Sequence, residues 1–233
     1  FEDAKGHWAE EAIQILTEKG VISGYPDGLA HPDEIITRGE FAALVARTME
    51  LPEPVESEVT IRFTDIAGHW SEKDIETLII AGIIQKDDFG TEFQPDEPIS
   101  RMEMIRMLVR AIGKGEHDAS CPCVTGFSDD GTLSEADKSS ICTGKEYGIV
   151  DGYPDGTVKP DGEATRAQSE HLCSDAFRLT GALLLEARGD ELLSAPRDVN
   201  AAGHAYQCGP AAEKVLRCTA EDGTIVTLWS AAP

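Results

Sequence analysis

The stretch Thr37-Arg38-Gly39-Glu40 recurs twice along the chain, as Ser100-Arg101-Met102-Glu103 and as Thr165-Arg166-Ala167-Gln168. Each copy has the form of a capping box, in which a hydroxyl accepts a hydrogen bond from the amide three residues later and the side chain there reaches back. A capping box marks the first turn of an α-helix. Three spaced copies therefore predict three repeats, each with a helix that begins at one of these stretches.

Further motifs precede each helix start in the same order. The units open on an aromatic residue and an aspartate, at Phe1-Glu2-Asp3, Phe63-Thr64-Asp65 and Phe127-Ser128-Asp129. Two motifs recur in two units each, Gly6-His7-Trp8 with Gly68-His69-Trp70, and Gly24-Tyr25-Pro26-Asp27-Gly28 with Gly152-Tyr153-Pro154-Asp155-Gly156. A period of about 62 to 64 residues predicts pseudo-symmetric units that share a core.

Apolar residues recur at helical spacing within the units. In the first unit Trp8, Ala12, Ile15 and Leu16 follow this spacing, and Gly20 stands where the helix should end. The pattern predicts a helix, a loop and a second helix in each unit, and hence a mainly α fold. We expect repeats at residues 1–51, 63–113 and 127–180, followed by a C-terminal tail at 181–233.

The tail does not follow the repeat pattern. A leucine-rich segment from Leu183 to about Leu193 predicts a helix. The segments Val215–Thr219 and Ile225–Trp229 flank Asp222-Gly223, which predicts a β-hairpin. We therefore expect a small α/β tail, whose role the sequence does not indicate.

Composition excludes several classes of partner. A net charge of −23 leaves no basic stripe for nucleic acid and disfavours anionic membranes. No apolar run approaches the ~20 residues of a membrane-spanning helix, so no membrane insertion is expected. The chain starts at Phe1 inside the repeat pattern, and we expect a mature or excised form.

Six cysteines lie in the second half of the chain. Their even number and irregular spacing favour structural disulfides in an oxidising compartment. A metal site at Cys121-Pro122-Cys123 with His117 is the alternative, but it lacks an evident fourth ligand. The disulfide candidates are Cys121, Cys123, Cys142, Cys173, Cys208 and Cys218.

Together, the repeated motifs resemble the S-layer homology family from Phe1 to about Thr180. The resemblance implies a pseudo-threefold, all-helical spindle that binds secondary cell-wall polymer, or a peptidoglycan-linked polysaccharide, in grooves between repeats. It implies a pyruvylated N-acetylmannosamine ligand, whose carboxylate meets the repeated arginine, and an extracellular place at the cell wall or cell surface. The ligand-binding residues that it implies are Arg38, Arg101, Arg166, Asp3, Asp65, Asp129, Trp8, Trp70, Gly24 and Gly152.

The chain departs from the family pattern in two places. In the second unit, residues 85–90 replace the glycine-tyrosine-proline-aspartate-glycine turn, and in the third unit Ala136 stands where tryptophan is expected. We expect each loss to disable one groove. Only the first unit retains every element, which favours Arg38 as the main contact.

Two features carry the functional interpretation, and each has an alternative. An arginine in the first helical turn faces the positive end of the helix dipole, a penalty of roughly 0.3–1 kcal/mol, and together with exposed amides it suits a carboxylate. Pairing with a nearby acid is the alternative for these arginines. Trp8 and Trp70 suit stacking on a sugar ring, or equally the anchoring of a hydrophobic core.

Three functions compete. We expect a non-covalent wall anchor, and the alternative is a structural subunit of a self-assembling S-layer or filament whose grooves have degraded. Enzymatic activity is not expected, because no nucleophile elbow, zinc-binding helix or phosphate loop is present. No cofactor is expected, and the acidic turns at Asp27, Asp87, Asp88 and Asp155 lack the spacing of an EF-hand calcium site.

Overall fold

The computed structural model describes residues 1–54, 59, 61–114, 124–187, 206–208, 215–220 and 225–229. For residues 180–187 and the three strand segments it describes the backbone only. The chain divides into two units, Phe1–Phe177 and Arg178–Pro233.

Helices dominate the described residues, which confirms the expected mainly α fold. Each repeat has two main helices separated by a loop, and the second repeat adds a short helix in its loop. The helices are α1 (Glu10–Glu18), α2 (Arg38–Thr48), α3 (Glu72–Ile80), α4 (Lys86–Phe89), α5 (Arg101–Ala111), α6 (Glu135–Glu146) and α7 (Arg166–Ala187), with a short 3-10 helix at Asp130–Thr132.

All three predicted capping boxes form. Thr37 and Glu40 exchange side-chain and backbone hydrogen bonds at the start of α2, and Ser100 and Glu103 do the same at α5. At α7 the Gln168 side chain accepts from the amide of Thr165 at 3.2 Å. The second helix of each repeat therefore begins where its local sequence specifies.

A ring of three backbone hydrogen bonds joins the repeats on a pseudo-threefold axis. The amide of Ile36 donates to Ala164, that of Ala164 to Ile99, and that of Ile99 to Ile36, over 3.0, 3.3 and 3.2 Å. These residues hold equivalent positions two residues before each arginine, and all three are buried. The ring confirms the predicted arrangement of three repeats around one shared core.

The apolar faces of the helices fill that core. Leu16, Phe41 and Leu108 are fully buried. Trp8, in contrast, precedes α1 and is 61% exposed. The prediction that Trp8 shares the helical spacing of Ala12, Ile15 and Leu16 is wrong, because α1 begins only at Glu10 and buries Ala12, Ile13 and Leu16.

The C-terminal strands form one antiparallel sheet in the order β1 (Tyr206–Cys208), β2 (Val215–Ala220) and β3 (Ile225–Trp229). The pairing of β2 with β3 confirms the predicted hairpin. The predicted separate leucine-rich helix is wrong in its start, because Leu183 lies inside α7, which continues unbroken from Arg166. Residues 188–193 lie outside the described residues.

The cysteines differ in their bonding state. Cys173 is a free, fully buried thiol on α7, which contradicts its place among the disulfide candidates. Burial raises the pKa of its thiol. Cys142, on α6, is disulfide-bonded, and Cys208 and Cys218 hold paired register positions on β1 and β2. Cys121 and Cys123 lie outside the described residues.

The described residues contain no group of three or more histidine, cysteine, aspartate or glutamate side chains placed to hold a metal ion. None of their helices combines the length and the apolar character that crossing a membrane requires.

Candidate functional site

Each capping-box arginine reaches into the loop of a neighbouring repeat. Its guanidinium lies over an aromatic ring there, close enough for a cation–π contact. The pairs and their distances to the ring centre are Arg166 with Tyr25 at 4.6 Å, Arg101 with Tyr153 at 4.6 Å, and Arg38 with Phe89 at 5.5 Å. The motifs of one repeat are therefore divided between two grooves, and the groove is the unit that must be complete.

Groove A lies between the Gly24–Gly28 turn of repeat 1 and the start of α7. It contains a cleft of about 170 Å³ lined by residues of all three repeats, among them Gly24, Tyr25, Trp70, Arg166 and Glu170. Trp70 belongs to repeat 2, and Arg166 and Glu170 belong to repeat 3. An aromatic ring, a turn and a guanidinium thus meet only through the tertiary fold.

Arg166 in groove A is held on one side and open on the other. Its Nε donates to the carbonyl of Ala30 at 3.0 Å, and its Nη1 donates to the Tyr25 hydroxyl at 2.9 Å and to Glu40 at 3.3 Å. Among the described residues, none accepts a hydrogen bond from Nη2. This nitrogen can donate to a ligand in the cleft.

Tyr25 links the turn to α2. Its hydroxyl donates to Glu40 Oε1 at 2.8 Å. Burial, together with that hydrogen bond, raises the pKa of Tyr25 to about 12, so the hydroxyl remains a hydrogen-bond donor at any physiological pH.

Groove C lies between the Gly152–Gly156 turn of repeat 3 and the start of α5. Arg101 is only 7% exposed, and its Nε donates to the carbonyl of Val158 at 3.0 Å. No carboxylate of the described residues forms an ion pair with Arg101, and burial lowers the pKa of its guanidinium. Groove C therefore holds a largely buried cation without an acidic partner within the described chain.

The missing acid in groove C has a simple cause in the sequence. Gln168 occupies the capping-box position that Glu40 and Glu103 hold in the other repeats. Its amide donates to the Tyr153 hydroxyl at 3.5 Å, but it carries no charge. The cation in groove C consequently has no charged partner among the described side chains.

Trp8 flanks groove C as Trp70 flanks groove A. Its ring packs edge-on against His171, with centroids 5.6 Å apart. His171 lies one helical turn beyond Gln168, and Ala43, which shares the groove A cleft with Trp70, lies one turn beyond Glu40. Both tryptophans are more than half exposed, at 61% and 58%, which excludes the core-anchoring alternative.

Groove B lies between the residue 85–94 loop of repeat 2 and the start of α2, and its arginine is fully engaged. Arg38 forms a two-pronged ion pair with Glu103, with Nη2–Oε1 at 2.7 Å and Nε–Oε2 at 3.3 Å. Its Nη1 donates to the carbonyl of Phe93 at 3.3 Å and to the side chain of Gln94 at 3.0 Å. All three guanidinium nitrogens are therefore occupied by the protein itself.

Ion pairs replace the missing turn and tryptophan of groove B. Asp88 accepts from Arg110 Nη2 at 3.1 Å and lies 4.0 Å from Arg106. Arg106 in turn donates from Nε to Asp137 at 2.7 Å. Asp137 follows Ala136 in the first turn of α6. The repeat 2 loop and α6 are thus joined through charged side chains rather than through an aromatic platform.

Both sequence departures fall in the same groove. The altered turn of repeat 2 contacts α5 through Asp88 and Arg110, and Asp137, which follows Ala136 in repeat 3, contacts α5 through Arg106, so both departures belong to groove B. Because neighbouring repeats share each groove, the two losses concern one groove rather than two, and the loss of binding there stays a prediction. Grooves A and C retain the turn, the arginine and the tryptophan.

The three aspartates of the opening motifs hold the loops that follow the turns. Asp3 accepts hydrogen bonds from the amides of Ala30 and His31, at 3.0 and 2.7 Å to its nearer oxygens. Although burial acts to raise it, these hydrogen bonds keep the pKa of Asp3 below its usual value. The equivalent bonds are Asp65 to Phe93 and Gln94, and Asp129 to Val158 and Lys159. The carboxylates thus fix the backbone of the loops that border the grooves.

The turn glycines allow the opening aromatic rings to pack closely. A Cβ added at Gly24 would lie 2.3 Å from Phe1 Cε1, and one added at Gly152 would lie 2.1 Å from Phe127 Cε1. Gly24 also adopts a positive φ of 72°, which other residues rarely adopt. Both positions are therefore constrained by packing, and Gly24 in addition lines the groove A cleft.

The expected exposed amides at the helix starts are not present. The amides of Arg38 and Gly39 donate to the carbonyls of Glu97 and Pro95 at 2.9 and 2.8 Å. Equivalent bonds run from Arg101 and Met102 to Gly162 and Pro160, and from Arg166 and Ala167 to Glu34 and Pro32. The neighbouring loop saturates each helix start, so only side chains remain to contact a ligand.

Three groove residues were missed from the sequence. Tyr25 and Tyr153 lie in the repeated turn motif, and the motif itself offered the signal to include them. Glu170 belongs to no shared motif. Its signal is the contrast with Ala42 and Ile105, which stand at the same distance after the other two arginines.

Comparison with known proteins agrees with this architecture. The S-layer homology domain family matches the chain in three segments, at residues 1–42, 62–105 and 126–168. The chain belongs to this family. The three matched segments correspond to the three repeats that meet at the hydrogen-bond ring.

Similar S-layer homology segments occur in larger proteins. The chain is 31% identical over 183 residues to an amylopullulanase of Thermoanaerobacterium thermosulfurigenes, which covers 78% of the chain and 10% of that protein. It is 39% identical over 118 residues to a cellulosome-anchoring protein of Acetivibrio thermocellus, covering 49% and 26%. It is 32% identical over 164 residues to an S-layer protein of Bacillus licheniformis, covering 70% and 18%. The chain spans about a quarter or less of the length of these relatives.

The family and these relatives identify a location at the cell surface or cell wall. They also support a role in cell-surface anchoring, although some relatives carry the names of enzymes.

Proposed function

We propose that this chain anchors a surface protein without covalent attachment, by binding an anionic cell-wall polysaccharide in grooves A and C. The ligand that fits is a sugar with a carboxylate substituent, such as pyruvylated N-acetylmannosamine. The carboxylate meets Arg101 or Arg166, and the sugar ring meets the adjacent tryptophan. Groove B takes no part.

The observation that carries this proposal is the state of Arg101. A guanidinium that is 7% exposed is expensive to leave without a counter-charge. Within the described residues its polar contacts are one backbone carbonyl and the face of Tyr153. An anionic ligand supplies the missing charge, and the planar fork of arginine suits a carboxylate in particular.

The exposed tryptophans support a sugar as the body of that ligand. An indole ring that is about three-fifths exposed retains an apolar face toward solvent, which suits the apolar face of a pyranose. Trp70 lines the same cleft as Arg166, so one ligand can contact both.

The overall charge of the chain limits how such a ligand is found. At −23 the chain repels a polyanion at distances within the screening length of about 10 Å at moderate salt. Binding therefore depends on short-range contacts inside the grooves rather than on long-range attraction. This favours recognition of a single terminal or side-chain sugar over recognition of a long charged polymer.

The proposed anchor has no catalytic role of its own. The names of the amylopullulanase and cellulosome-anchoring relatives describe proteins in which the matched segment is a minor part of the length. In such proteins a shared wall-binding segment can serve very different partners. We propose that, in any longer protein that includes this chain, this chain binds the wall and other segments carry any further activity.

Sedimentation with purified cell walls tests the proposal. The intact chain should pellet with native wall fractions and remain in solution with fractions stripped of pyruvate. The double variant Trp8→Ala/Trp70→Ala should lose the pelleting while keeping its circular dichroism spectrum, because both side chains are exposed. Arg38→Gln is the matched control and should still pellet, since Arg38 is occupied by Glu103.

Pelleting that survives both pyruvate removal and the double tryptophan variant would contradict the proposal. A second candidate, a structural subunit of a self-assembling layer, would then gain support. The observations that favour it are the internally neutralised groove B and the outer strands β1 and β3, each paired on one side only in the described sheet. Electron microscopy of the isolated chain for ordered arrays separates the two candidates.

A further inference from the structure

Glu170 is a buried carboxyl group that the fold does not use. It is 1% exposed, and neither of its oxygens has a hydrogen-bond partner. Its closest charged neighbour is Arg166, with Nη2–Oε1 at 3.7 Å, too long for a hydrogen bond. A buried, unsatisfied carboxyl is costly, and it is retained here at the wall of the groove A cleft.

The residue is peculiar to groove A. The equivalent positions after Arg38 and Arg101 are Ala42 and Ile105, both buried and apolar. An apolar side chain therefore suits this position in the common fold. The carboxyl at position 170 adds chemistry to one groove rather than stability to the repeat.

The charges around Glu170 make its ionisation state important to an anion. Arg166 already faces Glu40 at 3.3 Å, so its charge is largely balanced before Glu170 is counted. A second carboxylate beside Nη2 would repel a ligand carboxylate, whereas a neutral carboxylic acid would donate a hydrogen bond to it. The titratable or charged groups that face Glu170 or share its cleft are Arg166, Cys173, Asp3, Tyr25, Glu40 and Arg47.

We propose that Glu170 determines ligand binding in groove A by taking up a proton when a carboxylated sugar binds. The protonated carboxyl donates to one oxygen of the ligand carboxylate while Arg166 Nη2 donates to the other. Groove C, with Ile105 at the equivalent position, lacks this requirement. The inference rests on the proposed function, because it concerns the same ligand.

The physical setting favours such a proton. Burial, partly opposed by the charge of Arg166, raises the pKa of Glu170 to about 7. An anionic ligand beside the carboxyl raises that pKa further, because the neutral form is then preferred. If only the protonated form binds well, affinity falls about tenfold for each pH unit above the pKa.

Calorimetry on variants that retain a single groove tests the inference. The Trp8→Ala variant keeps only groove A intact, and the Trp70→Ala variant keeps only groove C intact. The probe is pyruvylated N-acetylmannosamine, with unmodified N-acetylmannosamine as the uncharged control. For Trp8→Ala at pH 8, titrations in buffers of different ionisation enthalpy should show uptake approaching one proton per ligand.

Two further variants assign the proton. Glu170→Gln in the Trp8→Ala chain should abolish the proton uptake and keep tight binding at high pH, because the amide donates a hydrogen bond without titrating. Glu170→Ala, which copies Ala42, should also abolish the uptake but bind more weakly than Glu170→Gln. Because the Trp8→Ala titration keeps Glu170 itself, it tests the inference even if a substitution at this buried position unfolds the chain.

The possible results separate the two proposals. Binding by Trp8→Ala without proton uptake, or binding that strengthens as the pH rises, overturns the role of Glu170 and leaves the anchor intact. Absence of binding by the unmodified chain at pH 6 overturns the proposed function, and the inference with it.

Discussion

Arg38 and Glu103 belong to different repeats and form a two-pronged ion pair across groove B, with their shorter contact at 2.7 Å. Both side chains are mostly buried, at 18% and 11% exposed. Glu103 Oε2 also accepts from the amide of Ser100 at 2.8 Å, so one carboxylate both caps α5 and binds the arginine of α2. The contact joins repeat 1 to repeat 2 and occupies the guanidinium of Arg38.

Glu103→Gln should destabilise the chain by about 1–3 kcal/mol, because Arg38 would lose its charged partner in a poorly solvated site. The helix cap should survive, since Gln168 caps α7 in the same way. Urea unfolding measures the change. Glu2→Gln, which breaks the exposed pair with Lys5, is the control and should shift stability by no more than about 0.5 kcal/mol. Equal changes in the two variants would contradict the structural role of the Arg38–Glu103 pair.

The number of sugars bound should follow the tryptophans. Calorimetric titration with pyruvylated N-acetylmannosamine at pH 6 should give about two sites for the intact chain and about one for either Trp8→Ala or Trp70→Ala, because each variant loses one aromatic platform. Arg38→Gln should keep two sites. A third site that disappears in Arg38→Gln would show that groove B binds ligand after all.

Gly152→Ala should destabilise the chain by about 1–3 kcal/mol, because the added Cβ would overlap the Phe127 ring and force it to move. Gly131→Ala is the matched control in the same repeat, since nothing lies within 4 Å of a Cβ placed there. Thermal unfolding of the two variants gives the comparison. If both unfold alike, the close contact between the opening motif and the turn does not constrain position 152.

Acidification should weaken the hydrogen bonds that Asp3 accepts from the amides of Ala30 and His31. Its pKa in the folded chain lies below the ordinary value of 3.8, so its contribution to stability is complete above that value and is lost as the pH falls through the lowered pKa. Asp3→Asn should therefore lower the free energy of unfolding at pH 7, and the difference from the unmodified chain should shrink toward pH 2. Urea unfolding at several pH values measures this, with the exposed Asp161→Asn as control. A difference that grows on acidification would contradict the assignment.

Cys173 should be inert toward thiol reagents in the native chain. The thiol is fully buried, and its raised pKa leaves little of the reactive thiolate. Labelling with a chromogenic disulfide reagent should proceed at this position only after unfolding in denaturant, as peptide mapping can show. Rapid labelling of Cys173 in the folded chain would place it nearer the surface than the structure does.

Local sequence was sufficient for the capped starts of α2, α5 and α7 and for the division into repeats. Thr37 and Glu40 specify the first turn of α2 through contacts within four residues, and the equivalent residues do so at α5 and α7. The hairpin of β2 and β3 follows from alternation around Asp222-Gly223. Such features are legible because the groups that stabilise them are close in sequence.

The same reasoning did not predict which groups the helix-start arginines and amides contact. It favoured Arg38 because repeat 1 carries every motif, yet Arg38 contacts the altered loop of repeat 2 and is neutralised by Glu103. It also expected free helix amides, which the neighbouring loops in fact saturate. In both cases the contacting groups come from another repeat, which no pattern within one repeat can indicate.

What the sequence determined by itself is the repeat unit, a helix, a loop and a capped second helix, present three times. What only the tertiary structure decided is which repeats share a groove. The backbone ring through Ile36, Ile99 and Ala164 sets each arginine against the next loop, and this places both degraded motifs in groove B and the unsatisfied Glu170 in groove A. The physical reason is that helix starts depend on short-range hydrogen bonds, whereas a groove depends on side chains brought together from three distant segments.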